Sequence, residues 1–457
     1  MISKFRPIAL FLALGLAAVS SHAQKPSFPK AEIAGAPPMG WNSWDAYGLT
    51  ITEEQFRSDV AIQAAELKPL GWQYAVIDEG WFMRNPLDRG TPDKLVYEID
   101  ANGRYIPVPA RFPSALEKSG ENTGFAALGS YVHSLGLRFG IHIVRGIPRV
   151  AVNANLPVAD SKFHAQDVAD TSDACPWDPT NWGVRDTPAG QAWYDSLLAQ
   201  YAGWGVDFLK VDCIATRPYK VTEIRMIQRA IAKTHRPIVL SLSPGPTALS
   251  DAKEVGELAQ MWRISDDIWD FWTNPKPWPR FVRGQFALLA AWQPYVKPGN
   301  WPDADMLPVG YLGPNPGFDP ARDTRLTHDE QRTLLTLWSI ARSPLVLGAN
   351  LTRLDDWTRA LITNRDIIAM DQQGHGQRQA LVEGELIAWT SEGAGKARYL
   401  ALFNLGDTEL KVARPFADFG LAGDRAGIEL WSKVKLDKSA QVAVTLPPHG
   451  CVALRLE

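Results

Sequence analysis

Two carboxylates of this chain lie at the ends of apolar runs, each with a basic residue shortly before it. Asp212 follows Lys210 by two positions, and Asp267 follows Arg263 by four. Cleavage of a glycosidic bond with retention uses two carboxylates about 5–5.5 Å apart, one attacking the anomeric carbon and the other transferring the proton. We therefore predict that Asp212 is a nucleophile and Asp267 an acid/base.

Asp266 is a rival for the second role, because pattern alone does not separate adjacent carboxylates, and either of the two could instead cap a helix. Side chains two positions apart on a strand share a face, so Lys210 is expected beside Asp212, where its charge would keep the carboxylate ionised or bind a sugar hydroxyl. Arg263 could pair with a neighbouring carboxylate and with a substrate. A purely structural ion pair is the alternative for these residues.

Other polar residues at the ends of apolar runs extend the candidate site. Asp78 and Glu79 are adjacent, and two such carboxylates could accept hydrogen bonds from neighbouring sugar hydroxyls. His142 ends a third run and is expected to contact substrate, with a structural role as the alternative. Further aromatic and acidic residues are predicted to complete the rim: Trp44, Trp301, Asp305 and Met306. No His or Cys cluster has metal-ligand spacing, and no calcium loop is evident, so neither a metal nor a cofactor is expected.

Short apolar strands alternate with helical patterns from residue 37 to about residue 350. Thr52 and Gln55 form a capping box that opens a helix with Phe56, Val60, Ala64 and Leu67 on one face. Eight strands in alternation predict a (β/α)8 TIM barrel, whose catalytic residues lie at the carboxyl ends of the strands. The candidate strands are 39–44, 74–81, 137–144, 206–213, 237–243, 260–266, a short one before Trp301, and 344–348.

After about residue 370 the pattern changes to short segments with alternating apolar positions, at 385–391, 398–404, 409–414, 427–433 and 441–446. Turn residues separate them, which predicts a C-terminal antiparallel β-sandwich. We therefore divide the chain into a signal peptide at 1–23, a catalytic domain at 24–370 and a C-terminal domain at 371–457.

The N-terminus has the pattern of a secretory signal. Lys4 and Arg6 precede an apolar stretch at 8–19, and residues 21–23 fit a cleavage site after Ala23. No later segment has about 20 uninterrupted apolar residues, so no membrane span is expected. The mature protein is predicted to begin near Gln24 and to be periplasmic or secreted.

The composition limits the classes of molecule that this chain is expected to bind. The 457 residues include 47 Lys and Arg against 50 Asp and Glu, without a basic run, which argues against nucleic acid. Most of the 18 tryptophans are expected in the core, but indole faces also stack on sugars, and an oligosaccharide or polysaccharide is the expected partner. The sequence carries no signal for an oligomeric state. Cys175 and Cys213 both lie near the predicted site and are the candidate disulfide, with two free thiols as the alternative; Cys451 lies in the C-terminal region.

Five segments resemble glycoside hydrolase family 27, the family of α-galactosidases and α-N-acetylgalactosaminidases. They are PMGWNSW at 38–44, VIDEGW at 76–81, LKVD at 209–212, WRISDD at 262–267 and WPDADM at 301–306. The resemblance implies a (β/α)8 barrel with a C-terminal β-sandwich and a retaining mechanism without metal. It places Asp212 at the nucleophile and Asp267, rather than Asp266, at the acid/base. It also implies sugar-binding positions at Trp44, Asp78, Lys210, Arg263 and Asp305.

The chain departs from the usual family pattern in ways that bear on the sugar. Glu79 stands where α-galactosidases usually have Asp, and His142 stands where they usually have Tyr. Ser243 opens a Ser-Pro-Gly-Pro stretch where a Glu-Trp pair is common, and the segment 142–177, with Arg145 and Arg149, is longer than usual. These departures leave fold and reaction class unchanged.

Three activities are therefore open. An exported exo-α-galactosidase is the leading interpretation. A β-L-arabinopyranosidase follows closely, because L-arabinopyranose lacks the exocyclic CH₂OH of galactose and Glu79 reaches about 1.5 Å deeper than aspartate. An α-N-acetylgalactosaminidase is the third, because the small residues after Ser243 leave room for an acetamido group. A non-catalytic sugar-binding protein is the alternative from another class, and the presence of both Asp212 and Asp267 argues against it.

Overall fold

The structure, a computed structural model, describes residues 28–88 and 94–457. The predicted signal peptide lies outside the described residues and stays a prediction. Within the described residues, no helix is both long and apolar enough to cross a membrane.

The strands of the N-terminal part are β1 (Met39–Asn42), β2 (Tyr74–Ile77), β3 (Arg138–Val144), β4 (Ile147–Pro148), β5 (Ala169–Ala174), β6 (Asn181–Val184), β7 (Phe208–Asp212), β8 (Val239–Leu242), β9 (Met261–Arg263), β10 (Trp301–Asp303), β11 (Tyr311–Leu312), β12 (Arg322–Asp323) and β13 (Leu345–Leu347). The helices are α1 (Lys30–Ile33), α2 (Trp44–Tyr47), α3 (Glu53–Ile62), α4 (Ala126–Ser134), α5 (Arg149–Asn153), α6 (Ala165–Val168), α7 (Pro188–Gly203), α8 (Val221–Lys233), α9 (Ala252–Leu258), α10 (Val282–Trp292), α11 (His328–Ala341), α12 (Asp356–Ile362) and α13 (Arg365–Gln373).

Eight parallel strands form the central sheet in the order β13-β1-β2-β3-β7-β8-β9-β10. Most of their residues are buried on both faces, as expected where helices cover a parallel sheet. The segment after β10 closes the ring: the Leu307 N–H donates to the Val346 carbonyl at 2.8 Å, and Leu307 forms a parallel bridge with Leu347 of β13. The predicted (β/α)8 barrel is confirmed.

The strands are shorter than the sequence pattern predicts. Strand β2 ends at Ile77, although the candidate strand extended to residue 81. At that point the chain leaves the sheet to form the rim, where Gly80 adopts a φ of +94° and a Cβ would lie 2.5 Å from the Leu49 carbonyl oxygen. The strand expected before Trp301 is wrong, because β10 begins at Trp301 itself.

Helix α3 shows how local sequence sets the outer layer. The Thr52 hydroxyl accepts from the Gln55 N–H, and the Gln55 side chain accepts from the Thr52 N–H, so the predicted capping box is present. Phe56 and Val60 are fully buried against the barrel. After Ile62 the helix continues as a π-helical turn, Gln63–Leu67.

The long segment between β3 and α7 forms a small subdomain on the rim. Its strands β4, β6 and β5 make a three-stranded antiparallel sheet, with α5 and α6 between β4 and β5. A disulfide joins Cys175, which follows β5, to Cys213 at the end of β7, with a Cα–Cα distance of 5.9 Å. The candidate disulfide of the sequence is therefore formed, and it ties this subdomain to the barrel.

The C-terminal strands are β14 (His375–Glu383), β15 (Leu386–Glu392), β16 (Arg398–Asn404), β17 (Leu410–Pro415), β18 (Arg425–Glu429), β19 (Lys435–Ser439), β20 (Gln441–Leu446) and β21 (Cys451–Leu456). They form a six-stranded antiparallel sheet, β14-β15-β16-β21-β18-β19, and a two-stranded sheet, β17-β20, around their own apolar core. The predicted C-terminal β-sandwich is confirmed. The sequence missed β14, β19 and β21; β19, for example, is a charged edge strand without an apolar face.

The sandwich packs against the barrel through α10 and α11. The rings of Phe286 and Phe403 meet edge to face at 5.0 Å, and His449 stacks on Trp272 at 4.5 Å. The His449 ring also lies 2.8 Å from the Glu330 carboxylate of α11. The contact between the two domains therefore combines aromatic packing with a polar contact of His449.

Candidate active site

A cavity of about 680 Å³ opens at the carboxyl ends of the barrel strands. Seven of the eight strands, or the residues just after them, contribute to it, as expected for the rim of such a barrel. Of the residues predicted for the site and its rim, all but Trp301 line this cavity: Trp44, Asp78, Glu79, His142, Lys210, Asp212, Ser243, Arg263, Asp267, Asp305 and Met306.

Asp212 ends β7 at the floor of the cavity. Its Oδ1 accepts the Cys213 N–H at 2.7 Å, and its Oδ2 lies 3.8 Å from Nε2 of His142. Burial by itself would raise the pKa of Asp212, but His142, Lys210 and the Cys213 N–H together hold it below the usual range. The carboxylate is therefore ionised at neutral pH, as a nucleophile must be.

Lys210 has a different principal partner from the one expected. Its Nζ donates to Oδ2 of Asp78 at 2.8 Å, and Asn42 donates to the same oxygen at 2.7 Å. Although burial opposes ionisation of both groups, the pair lowers the pKa of Asp78 and raises that of Lys210. Lys210 thus fixes Asp78 directly, and it favours ionised Asp212 through its charge.

Arg263 connects two other carboxylates. Its Nη2 lies 2.7 Å from Oδ2 of Asp305 and 3.3 Å from Oδ1 of Asp267. Burial raises the pKa of Asp305 to about 7, with Arg263 acting in the opposite direction. Asp305 also accepts the Ile268 N–H at 2.7 Å and adopts a φ of +90°, an unfavourable backbone conformation of a kind that clusters at functional sites.

The neighbours Asp266 and Asp267 differ in their surroundings. Asp266 is buried and receives two hydrogen bonds from Arg217, at 2.6 and 3.1 Å. The Asp267 side chain is 39% exposed at the cavity. Asp266 is therefore committed to an ion pair, whereas Asp267 is accessible to a substrate.

Trp44, Glu79 and Ser243 complete the wall. Gly317 lies against the indole of Trp44, where a Cβ would be 2.2 Å from Cε2. Glu79 is 3% exposed, and its N–H donates to Oδ1 of Asp78 at 2.9 Å. Ser243 follows β8 and is equally buried. These side chains form an acidic floor at the strand ends, and Asp267 is the most exposed carboxylate next to it.

The family model described as Alpha galactosidase A matches residues 181–373, and that of the alpha galactosidase C-terminal beta sandwich domain matches residues 383–456. The crystal structure of a family 27 β-L-arabinopyranosidase from Geobacillus stearothermophilus is 41% identical, with a TM-score of 0.87, over 94% of this chain and 98% of that one. The chain belongs to glycoside hydrolase family 27. It is a glycoside hydrolase, and its substrate is a carbohydrate.

Two further relatives show the range of activities in family 27. Alpha-galactosidase A from Cellvibrio japonicus is 28% identical over 98% of this chain and 98% of its own length. Alpha-N-acetylgalactosaminidase from Gallus gallus is 26% identical over 78% of this chain and 75% of its own. The similarity therefore covers both the barrel and the sandwich.

One expected rim residue is not at the rim. Trp301 is fully buried and its Nε1 donates to the Ala34 carbonyl at 2.8 Å. It packs with Phe208, Val239 and Met261, the first residues of β7, β8 and β9. Trp301 therefore lies at the amino end of the barrel, because it begins its strand rather than following it.

Sequence reasoning missed several residues that line the family 27 cavity: Asp45, Trp177, Arg217, Trp269, Trp278 and Arg280. Most lie in loops, where no strand-end rule applies. Asp45 had a signal, since it follows Trp44 directly. Burial, and then the charge of Asp305, raise the pKa of Asp45 well above its usual value.

A buried ion network behind Asp212 was also missed. The Arg145 N–H donates to the Asp212 carbonyl at 3.1 Å, and its Nε donates to the Cys213 carbonyl at 2.7 Å. Its other nitrogens donate to Glu223 and Asp173 at 2.7–3.0 Å. Together with the disulfide at Cys213, this network fixes the backbone that carries Asp212. No group of three His, Cys, Asp or Glu residues in the described ranges is arranged to hold a metal ion.

Proposed function

We propose that this family 27 enzyme is a retaining exo-glycosidase in which Asp212 attacks the anomeric carbon and Asp267 is the acid/base. The ionised state of Asp212 and the exposure of Asp267 support this division of roles. In the first step Asp212 forms a bond to the anomeric carbon while Asp267 protonates the departing oxygen. In the second step Asp267 removes a proton from water, which displaces Asp212.

The closed floor supports cleavage at a chain end. The side chains of Asp78, Arg263 and Asp305 are at most 5% exposed, and that of Lys210, the partner of Asp78, is 15% exposed. Both pairs lie at the strand ends that form the floor of the cavity, so a sugar ring bound against them has no room to continue in that direction. A terminal residue is therefore the expected glycone.

We propose β-L-arabinopyranose as the preferred glycone. Glu79 carries this proposal, because its buried side chain lines the cavity where α-galactosidases usually have the shorter aspartate. The extra methylene would fill the volume that the C6 hydroxymethyl of galactose needs. The chain is 41% identical to the Geobacillus β-L-arabinopyranosidase and 28% identical to the Cellvibrio α-galactosidase, which also supports arabinopyranose over galactose as the preferred glycone. α-D-Galactoside cleavage is the second activity, since the two sugars share their ring stereochemistry.

Release of p-nitrophenol from the β-L-arabinopyranoside, the α-D-galactoside and the α-N-acetylgalactosaminide, measured side by side, tests this proposal. We expect the highest kcat/KM on the arabinopyranoside and about 10- to 200-fold less on the galactoside, the range for one small group in a fitted pocket. A higher kcat/KM on the galactoside would overturn the preference. Activity on the third substrate alone would assign the space near Ser243 to an acetamido group.

We also propose that the enzyme acts outside the cytoplasm, in the periplasm or after secretion. The N-terminal pattern and the disulfide between Cys175 and Cys213 support this, since stable disulfides form mainly in oxidising compartments. N-terminal sequencing of active protein from its native host should give Gln24 or a close neighbour. Active protein that retains Met1 would contradict export.

A further inference from the structure

The opening of the cavity, here called the mouth, is lined by Trp177, Arg217, Trp278 and Arg280. These residues lie in loops beyond the strand ends and beyond the closed floor. Trp278 is 45% exposed, which is unusual for so large an apolar side chain. Its ring meets the ring of Phe318 edge to face at 5.0 Å, so it has a fixed contact although much of it is open to solvent.

Backbone hydrogen bonds join the loop of Trp278 to the acid/base. The Arg280 N–H donates to the Asp267 carbonyl at 2.8 Å, and the Arg280 carbonyl accepts from the Trp269 N–H at 3.3 Å. Within the loop, the Asn274 side chain donates to the Pro279 carbonyl at 2.8 Å. The position of Trp278 is therefore coupled to the peptide that carries Asp267.

Trp177 lies on the side of the mouth that belongs to the nucleophile. It is two residues after Cys175, whose disulfide partner Cys213 directly follows Asp212. The guanidinium of Arg217 lies 5.5 Å from the centre of the Trp177 ring and is itself held by Asp266. Each tryptophan of the mouth is thus tied to one of the two carboxylates proposed for catalysis.

The leaving group must emerge on the side of the acid/base, because that residue protonates the departing oxygen. Among the tryptophans that line the cavity in the described residues, Trp278 alone is exposed, and its loop is hydrogen-bonded to the Asp267 peptide. Exposed indoles offer a flat apolar surface, and a pyranose ring presents a matching face of C–H groups. The cations at the mouth do not change this preference, since Arg217 is bidentate to Asp266 and Arg280 lies 4.0 Å from the same carboxylate.

We propose that Trp278, opposed by Trp177, forms an aglycone subsite that binds the ring of the leaving group. This rests on the proposed function and names its substrate class: terminal glycosides whose leaving group is a pyranose of an oligosaccharide or polysaccharide. Simple alkyl glycosides, whose leaving group has no ring, would not be bound more tightly by the mouth. The closed floor selects the sugar that is released, and the mouth selects what that sugar is attached to.

The test compares leaving groups on one glycone. We would measure kcat/KM of the wild type and Trp278→Ala on a β-L-arabinopyranosyl hexose disaccharide, on p-nitrophenyl β-L-arabinopyranoside and on β-L-arabinopyranosyl fluoride. The first two have a ring in the leaving group and the fluoride has none. We expect Trp278→Ala to lower the ratio of kcat/KM on the substrates with a ring to kcat/KM on the fluoride about five- to ten-fold. The change should come mainly from a higher KM on the substrates with a ring, as for loss of an aromatic contact. Trp278→Phe should restore most of the ratio.

Val382→Ala is the matched control, because Val382 is also an exposed apolar residue but lies on β14 of the sandwich. An unchanged ratio in Trp278→Ala, or an equal loss on all three substrates, would overturn the proposal. Failure of the glycone assignment is distinguishable, because the wild type would then prefer galactosides. The same comparison with α-D-galactosyl fluoride and a galactosyl disaccharide would still test the mouth.

Discussion

At the floor of the cavity two carboxylates, Asp78 and Asp305, are each held by a cationic partner, whereas at the mouth the side chains are partly open to solvent. Asp78 is paired with Lys210 at 2.8 Å and Asp305 with Arg263 at 2.7 Å, and none of the four side chains is more than 15% exposed. At the mouth, in contrast, Trp278 is 45% exposed and the Arg217 side chain is 51% exposed. The floor is thus preorganised before substrate arrives, and the mouth is open to leaving groups of different structure.

This difference matches the two tasks of an exo-glycosidase. The released sugar is always the same, so a rigid and strongly polar floor recognises it without reorganisation. The leaving group varies in its next linkage, so an aromatic and partly exposed surface suits it better. Substitutions at the floor should therefore affect all leaving groups alike, and substitutions at the mouth should discriminate between them.

The largest effect is expected at the floor. Asp212→Asn should lower kcat on every substrate on the order of 10⁴-fold or more, because an amide cannot form the glycosyl-enzyme bond. Proton NMR of the first sugar released by the wild type should show retained anomeric configuration. Near-normal turnover by Asp212→Asn, or an inverted first product, would rule out the assignment.

The next largest effect is expected at Asp267, and it distinguishes this carboxylate from its neighbour Asp266. Asp267→Asn should cost about 10²- to 10⁴-fold on disaccharides and much less on p-nitrophenyl glycosides, whose leaving group needs little protonation. Asp266→Asn is the matched control, because Asp266 already accepts two hydrogen bonds from Arg217. Asp266→Asn should not change the ratio of kcat/KM on the disaccharide to kcat/KM on the p-nitrophenyl glycoside. The reverse result would make Asp266 the acid/base.

The sequence could locate the floor because a simple rule applies there: residues at the carboxyl ends of parallel strands converge. Asp78, Lys210 and Asp212 follow that rule, and Trp301 does not, because it begins its strand. The mouth could not be predicted in the same way. The position of Trp278 depends on the hydrogen bond between Arg280 and Asp267 and on the contact with Phe318, which no local pattern encodes.

Long-range contacts explain the other omissions. The ion network of Arg145 depends on Asp173 and Glu223, which are 28 and 78 positions away. Neither residue has a sequence pattern that marks it as a partner. Only the fold brings these charges together behind the backbone of Asp212.

The Glu79→Asp substitution tests whether the floor alone determines which glycone the enzyme prefers. The shorter side chain should make room for the C6 hydroxymethyl and raise the ratio of galactosidase to arabinopyranosidase kcat/KM roughly ten-fold. The dependence on leaving group should not change, because Glu79 belongs to the floor. The ratio is measured with the two p-nitrophenyl glycosides. An unmoved ratio would mean that Glu79 does not limit the depth of the pocket, and His142 or Ser243 would be the next position to vary.

The smallest effect concerns the pH dependence that the floor imposes. Burial raises the pKa of Asp212, and His142, 3.8 Å away, is among the groups that more than offset this. In His142→Phe the pKa of Asp212 should rise, so the nucleophile becomes protonated at higher pH during acidification. The acid limb of the kcat/KM profile should then move to higher pH, while activity at pH values well above that limb is less affected. His142→Gln, which keeps a polar group but cannot carry a charge, separates the hydrogen bond from the charge of the ring.

The opposite outcome is an acid limb that stays in place in His142→Phe. Lys210 and the Cys213 N–H would then be sufficient to keep Asp212 ionised, and the contribution to the pKa of Asp212 that we assign to His142 would be wrong.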